Sequence, residues 1–200
     1  MIPITEAVKH LLIINILIFL GTNTFMGDEQ RLILALFSPE SVFFRPWQIV
    51  THMFMHGNFE HLMFNMLALF FIGPMMENYL GTKRFLSYFF ICGLGGAFLH
   101  LAIKWYVIHI TGDDSMVNVP ALGASGAING LFIGLAYLFP NLEMYLMFIP
   151  IPIKAKYIAF FAIAIDLIGG LSGYQSGIAH FAHLGGALFG FLFLKSWKRN

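Results

Sequence analysis

The sequence predicts an all-α polytopic membrane protein, and three observations support this fold class. Of the 200 residues, 58% are hydrophobic and only 10% are charged, whereas soluble domains carry about 25% charged residues. The charged residues lie between long apolar runs, and a membrane-spanning helix needs a run of about 20 residues. No run alternates in the way of a membrane β-strand, so helices are the expected spanning elements.

Six apolar runs qualify as spans, and they lie at 8–26, 58–80, 84–105, 122–139, 156–171 and 177–195. The first run has a short apolar core, and the fifth contains Asp166. No small-residue cleavage site follows the first run, so we interpret it as a retained span. Residues 1–200 contain no linker, repeat or low-complexity tract, and we therefore expect a single membrane domain.

Two connections are expected to lie at the membrane interface. Residues 27–57 are partly apolar and rich in aromatics, and Trp47 and Arg45 are side chains that favour the headgroup region. Residues 140–153 contain three prolines, which predict an irregular connection.

The distribution of basic residues predicts that both termini are cytoplasmic. With the N-terminus inside, the cytoplasmic side holds Lys9, Lys83, Arg84, Lys154, Lys156, Lys195, Lys198 and Arg199, and the other side holds Arg31, Arg45 and Lys104. Eight against three follows the positive-inside rule. The compact six-span form suggests a bacterial inner membrane. The net charge is +1 and there is no basic patch, so we expect no nucleic-acid partner.

Polar side chains gather at one end of three spans. His61 and Asn65 open the second span, Ser125 opens the fourth, and His180 and His183 open the sixth. In the predicted topology all three spans begin on the non-cytoplasmic side, so these groups lie near one membrane depth. Polar groups inside a membrane are costly, and each is therefore a functional candidate.

Small residues predict close packing between the fourth and sixth spans. They recur every four positions, as Gly126, Gly130 and Gly134 on the fourth span and as Gly186 and Gly190 on the sixth. At about 100° per residue, His183 points within about 40° of the sixth-span glycines and His180 about 100° away. His183 is therefore expected to reach Ser125. For His180, hydration or a hydrogen bond to a loop would suffice, and the sequence leaves its role open. Gly123, with Gly126, leaves room beside the serine hydroxyl.

This set of residue types suits acyl transfer. A serine such as Ser125 becomes a useful nucleophile when a neutral histidine, here His183, takes its proton. A tetrahedral intermediate also needs donors for its oxyanion, which His61, Asn65 and the Ser125 N–H would provide.

Other titratable groups receive other interpretations. His52 and His56 have the i, i+4 spacing of zinc ligands on a helix, but no Cys or carboxylate completes a set, so we predict no metal and no cofactor. Glu77 is expected to make a helix-end contact, and Cys92 to be a buried structural thiol. Asp166 could orient a histidine, relay protons or cap a loop, and the sequence leaves these three roles open.

Four motifs together resemble the rhomboid family of intramembrane serine proteases. They are "HLMFN" from His61, "GPMMENYLG" from Gly73, "GASG" around Ser125 and "AHLGGALFG" from Ala182. The match runs from about Trp47 to the C-terminus, and the motifs occur in the family's order. Jointly the four motifs are highly specific, although each alone is weak.

The resemblance implies a six-helix bundle in the lipid bilayer, with a long first loop that is partly embedded. It implies cleavage of single-span membrane protein substrates by a Ser–His dyad, with Ser125 as nucleophile and His183 as general base. His61, Asn65 and the Ser125 N–H would form the oxyanion site.

The chain departs from the family pattern at two positions. Some members place an aromatic residue on the histidine one turn after the nucleophile, where this chain has Asn129. The Trp–Arg pair of some first loops is Trp47–Gln48 here.

Two other functions compete with proteolysis. One is a non-catalytic rhomboid-like protein that binds or escorts client helices. The other is a small transporter with a proton path through His61, Asp166 and His183, but a path needs polar residues through the full membrane depth. The sequence predicts neither the natural substrate nor the oligomeric state.

Overall fold

Six long helices dominate the computed structural model, which describes residues 3–27, 32–146, 149–171 and 177–197. They are α1 (Glu6–Phe25), α2 (Phe59–Leu80), α3 (Thr82–Tyr106), α4 (Ser125–Leu138), α5 (Ala155–Leu171) and α6 (Gly177–Trp197). Each helix coincides with one predicted run, and the largest difference is at the start of α4, predicted at 122 and observed at Ser125. The all-α class is therefore confirmed.

Three of the described helices are long and apolar enough to cross a membrane. These are α1, α2 and α3, the last of which is extended by a π-helical turn to Thr111. The helix α4 is apolar but has only 14 residues. That all six helices span the bilayer stays a prediction.

The expectation of an irregular connection at 140–153 is wrong. The strands β1 (Glu143–Leu146) and β2 (Ile149–Lys154) form an antiparallel hairpin, with Glu143 opposite Lys154 and Met144 opposite Ile153. Prolines are tolerated here because both strands of a two-stranded ribbon are edge strands, where a missing N–H costs little.

The side chain of Gln48 organises the segment between α1 and α2. Gln48 is fully buried. Its carbonyl oxygen accepts hydrogen bonds from the backbone N–H groups of Phe37 (3.3 Å) and Arg45 (3.1 Å). Its amide nitrogen donates to the carbonyl oxygens of Ile33 (3.3 Å) and Phe43 (3.0 Å). The uncharged residue at the second position of the Trp–Arg pair thus joins four points of the loop backbone.

Glu77 ties the start of α1 to the corner between α2 and α3, as predicted. Its carboxylate accepts hydrogen bonds from the backbone N–H groups of Ala7 (3.1 Å) and Val8 (3.0 Å). The hydroxyls of Thr5 and Thr82 donate to the same carboxylate. A carboxylate at a helix N-terminus satisfies free N–H groups and complements the positive end of the helix dipole.

The helices α3, α4 and α6 meet at glycines in the centre of the bundle. A Cβ atom added to Gly186 would overlap the backbone of Gly126, and one added to Gly130 would overlap the side chain of Cys92. One added to Gly190 would lie 3.2 Å from the Cα of Gly130. Such contacts require glycine because any side chain would force the helices apart.

Replacing Gly186 with Ala is expected to lower the free energy of unfolding by about 1–3 kcal/mol, because α4 and α6 must separate to admit the new methyl group. Thermal unfolding in detergent micelles measures this loss. The matched control is Gly21→Ala in α1, where no atom lies within 4 Å of the added Cβ. This control should keep or slightly raise the unfolding temperature, and equal losses in both variants would contradict the interpretation.

Candidate active site

The turn before α4 places Ser125 at a helix start. Gly123 has φ +116°, a backbone conformation that favours glycine. Its N–H donates to the carbonyl oxygen of His52 at 2.8 Å. Leu36 and Ala121 exchange two backbone hydrogen bonds of 2.8 Å each. The segment that leads to Ser125 is therefore joined to the loop between α1 and α2.

Ser125 and His183 are within hydrogen-bond distance. The Nε2 atom of His183 lies 2.9 Å from the Oγ atom of Ser125. The other ring nitrogen, Nδ1, lies 2.9 Å from Oδ1 of Asp166. Because a carboxylate only accepts, we assign the ring proton to Nδ1, which leaves Nε2 free to accept from the serine hydroxyl.

His180 shares the carboxylate of Asp166. Its Nδ1 lies 2.7 Å from Oδ1 of Asp166, the same oxygen that faces His183. The hydrogen bond of His180 therefore goes to a carboxylate on α5 and not to a loop. Asp166 is 7% exposed, and burial without partners would make its charge costly. The two histidines supply those partners, which is why the ring of His180 turns toward α5.

The same cluster has the composition of a metal site. Asp166, His180 and His183 offer one carboxylate oxygen and two ring nitrogens within 4.8 Å of one another. The nitrogen–oxygen distances of 2.7 and 2.9 Å are those of charge-assisted hydrogen bonds. We therefore interpret the cluster as a hydrogen-bonded group.

His61 lies against the turn that precedes Ser125, whereas Asn65 is bonded within its own helix. A Cβ added to Gly123 would lie 2.7 Å from two ring atoms of His61. The amide nitrogen of Asn65 donates to the carbonyl oxygen of His61 at 2.7 Å. Asn129 makes a similar bond to the carbonyl oxygen of Ser125 at 3.0 Å. The structure thus brings His61 close to Ser125 and gives the nitrogen of Asn65 another acceptor.

A cavity of about 390 Å³ opens beside these groups. Its walls come from α2, α3, α4, α6 and the segment before α4, and include His61, His100, Pro120, Ser125, Ala182 and His183. Another cavity, of about 440 Å³, lies between α1 and α2 with an entirely apolar lining that includes Leu12, Phe19, Met66 and Phe70. Only the former of these two carries groups capable of proton transfer, so it is the candidate site.

A family model for the rhomboid domain matches residues 44–197. The chain belongs to the rhomboid family. Its helices and this membership make it an integral membrane protein.

Named relatives of this rhomboid occur in bacteria and in mitochondria. The rhomboid protease AarA of Providencia stuartii is 33% identical over 73% of the chain and 54% of its own length. The mitochondrial rhomboid-like protein 12 of Arabidopsis thaliana is 32% identical over 70% of the chain and 43% of its own length. The mitochondrial rhomboid protein 1 of Saccharomyces cerevisiae is 33% identical over 72% of the chain and 40% of its own length. The chain thus matches about half the length of these relatives.

The depth of Asp166 along α5 of this rhomboid indicates its partner, although hydrophobicity alone does not. Asp166 lies five residues before the end of α5, and His183 six residues after the start of α6. At a rise of about 1.5 Å per residue, both lie about 8–9 Å from the same end of the helix pair. The contact needs the relative rotation of two helices as well, and hydrophobicity does not supply that rotation.

Acid is expected to destabilise this rhomboid through two buried loop histidines. Burial lowers the pKa of His52 and of His56 from 6.5 to about 4. The unfolded chain then binds protons that the folded state does not, so stability is lost as the pH falls from about 6.5 to about 4.

Unfolding temperatures in detergent across this pH range measure the effect. His56→Phe keeps an aromatic ring and removes one of the two titrating groups, so its unfolding temperature should depend less on pH. An unchanged pH dependence in that variant would contradict the assignment.

Proposed function

We propose that this rhomboid is an intramembrane serine endopeptidase that cleaves membrane-spanning segments of single-span proteins within the lipid bilayer. The observation that carries the proposal is the 2.9 Å contact between His183 Nε2 and Ser125 Oγ beside the cavity. The rhomboid protease AarA, a relative by sequence, supports the same reaction class.

In the proposed mechanism, Ser125 Oγ attacks the carbonyl carbon of the scissile peptide bond. His183 Nε2 takes the hydroxyl proton during attack and gives it to the leaving amine as the C–N bond breaks. Water then attacks the acyl-enzyme, His183 again takes the proton, and the serine oxygen leaves with it. The cycle needs no cofactor, since every proton that His183 accepts is returned.

Charge on the tetrahedral intermediate needs donors around the developing oxyanion. The N–H of Ser125 is one of the free N–H groups at the start of α4. We assign the second donor to the ring of His61, which lies beside Gly123. Asn65 would act with His61, and its amide nitrogen must then use the hydrogen that does not bond the His61 carbonyl.

The substrate has to present a peptide bond in an accessible conformation. A membrane-spanning helix hides its carbonyl groups in internal hydrogen bonds, so the segment must unwind before attack. We therefore propose that the preferred substrates carry small or helix-destabilising residues near the scissile bond.

The topology is part of the proposal. Residues 1–200 form one domain with six spans, a partly embedded first loop and both termini in the cytoplasm. Some charges behind this orientation, at Arg31, Lys198 and Arg199, lie outside the described residues. We propose a bacterial inner membrane, although the relatives include mitochondrial proteins as well as bacterial ones.

Replacing Ser125 with Ala is expected to abolish cleavage of a single-span reporter in liposomes, because no nucleophile remains. A fluorophosphonate should label the wild type at Ser125 and leave this variant unlabelled. Ser115→Ala in the exposed turn after α3 is the matched control and should cleave normally. Full activity in Ser125→Ala would refute the proposal, and reporter binding without cleavage by the wild type would favour the escort function.

Replacing Gly123 with Ala is expected to lower kcat by at least about 10²-fold, the cost of losing one oxyanion donor. The new methyl group displaces the ring of His61, and the φ of +116° strains any residue other than glycine. The control is Gly57→Ala, whose Cβ would make only an ordinary contact of 3.5 Å with Leu122. Steady-state kinetics with the same reporter measure both variants. An unchanged kcat in Gly123→Ala would remove His61 from the oxyanion site.

A further inference from the structure

We infer that Asp166 is a positioning residue for His183, which extends the proposed Ser–His dyad to a Ser125–His183–Asp166 hydrogen-bonded chain. The inference rests on the proposed function and concerns how its general base is held. The two nitrogens of one imidazole ring join the serine hydroxyl and the carboxylate, each at 2.9 Å.

The carboxylate fixes both the orientation and the tautomer of the ring. A free imidazole can carry its proton on either nitrogen, and only the form with the proton on Nδ1 can accept from Ser125. The carboxylate of Asp166 selects this form because it can only accept. When His183 takes the serine proton, the positive ring is stabilised by the negative oxygen next to it.

His180 holds the carboxylate in turn. Its Nδ1 is the second donor to the same oxygen, at 2.7 Å, so Oδ1 of Asp166 is fixed from two directions. Gly169, one helical turn after Asp166, leaves space for the ring of His180. A Cβ at Gly169 would lie 2.5 Å from Nε2 of that ring.

Among the described ionisable groups that surround His183, Asp166 provides the carboxylate. His180 approaches from the same helix, and His61 and His100 line the cavity from α2 and α3. Asn129, at the position where some family members have an aromatic residue on the histidine, donates to the Ser125 carbonyl instead. The hydrogen bond that orients the ring of His183 through Nδ1 therefore comes from Asp166 on α5.

Asp166→Asn tests the inference, because it keeps the size of the side chain and removes its charge. Its amide can also donate to Nδ1 and so select the unproductive tautomer. We expect kcat for the reporter to fall by about 10²- to 10⁴-fold, with KM nearly unchanged. The low-pH limb of the kcat/KM profile should move to lower pH, since the positive ring loses its counter-charge.

The matched control is Asp114→Asn, the same change of one carboxylate in the exposed turn after α3. It should retain wild-type kcat and the wild-type pH profile. Active-site titration with a fluorophosphonate normalises each rate to the folded fraction. A kcat for Asp166→Asn close to that of the wild type, or a lower unfolding temperature with an unmoved pH profile, would overturn the inference.

A measurement on the unmodified protein covers the case in which Asp166→Asn does not fold. In protein labelled with ¹⁵N-histidine, His183 should show a strongly downfield Nδ1–H proton, identified by its loss in His183→Asn. Nitrogen shifts that place the proton on Nε2 would overturn the inference. Wild-type cleavage that a chelator abolishes and Zn²⁺ restores would also overturn it, because the cluster would then bind a metal.

The two proposals fail in different ways. If Ser125→Ala still cleaves the reporter, the proposed function is wrong. If Ser125→Ala and His183→Asn are inactive while Asp166→Asn has normal kinetics, only the role of Asp166 is wrong.

Discussion

The contact of α4 with α6 through glycine backbone is the constraint on which the rest of the structure depends. Gly186 lies so close to Gly126 that a single methyl group would not fit between them. Gly126 directly follows Ser125, and Gly186 lies three residues after His183. The backbone contact of Gly126 with Gly186 therefore sets the distance between the Ser125 hydroxyl and the His183 imidazole. This contact leaves the two helices little freedom to slide past each other. In a membrane such packing replaces the hydrophobic driving force that is missing between helices.

The cost of polar groups in an apolar medium explains the contacts of three further buried polar side chains. Asp166 is satisfied by two histidines, Gln48 by four backbone groups of its loop, and Glu77 by the start of α1. All three groups are paired, because leaving a polar group unpaired in the interior costs several times the free energy that a typical hydrogen bond contributes. Two of these clusters hold the loop and the helix start. The cluster of Asp166 is the one that touches the candidate site.

The sequence predicts the helices well because hydrophobic run length is the property that both the membrane and the helix require. The strands β1 and β2 were not predicted, because prolines argue against strands unless each strand lies at a sheet edge. The bond of His180 to Asp166 could not be predicted, because a helical wheel gives directions on one helix and does not show which side chains of the neighbouring helix it meets. The role of Gln48 could not be predicted either, since its four partners are backbone groups, which are nearly the same in every sequence. The proximity of Ser125 to His183 could be predicted, because the glycine pattern indicates which faces of α4 and α6 are in contact.

The hydrogen bonds between the first loop and the segment before α4 have a consequence for sequence divergence. Leu36 with Ala121, and Gly123 with His52, are joined through backbone atoms alone. Backbone groups are the same in nearly every residue, so these bonds survive most exchanges of side chain at Leu36, Ala121 and His52, whereas Gly123 is held to glycine by its φ of +116°. The exposed apolar residues of the loop, such as Phe43 and Val42, can therefore be exchanged without moving Ser125. The surface of the loop and the position of Ser125 can thus evolve separately.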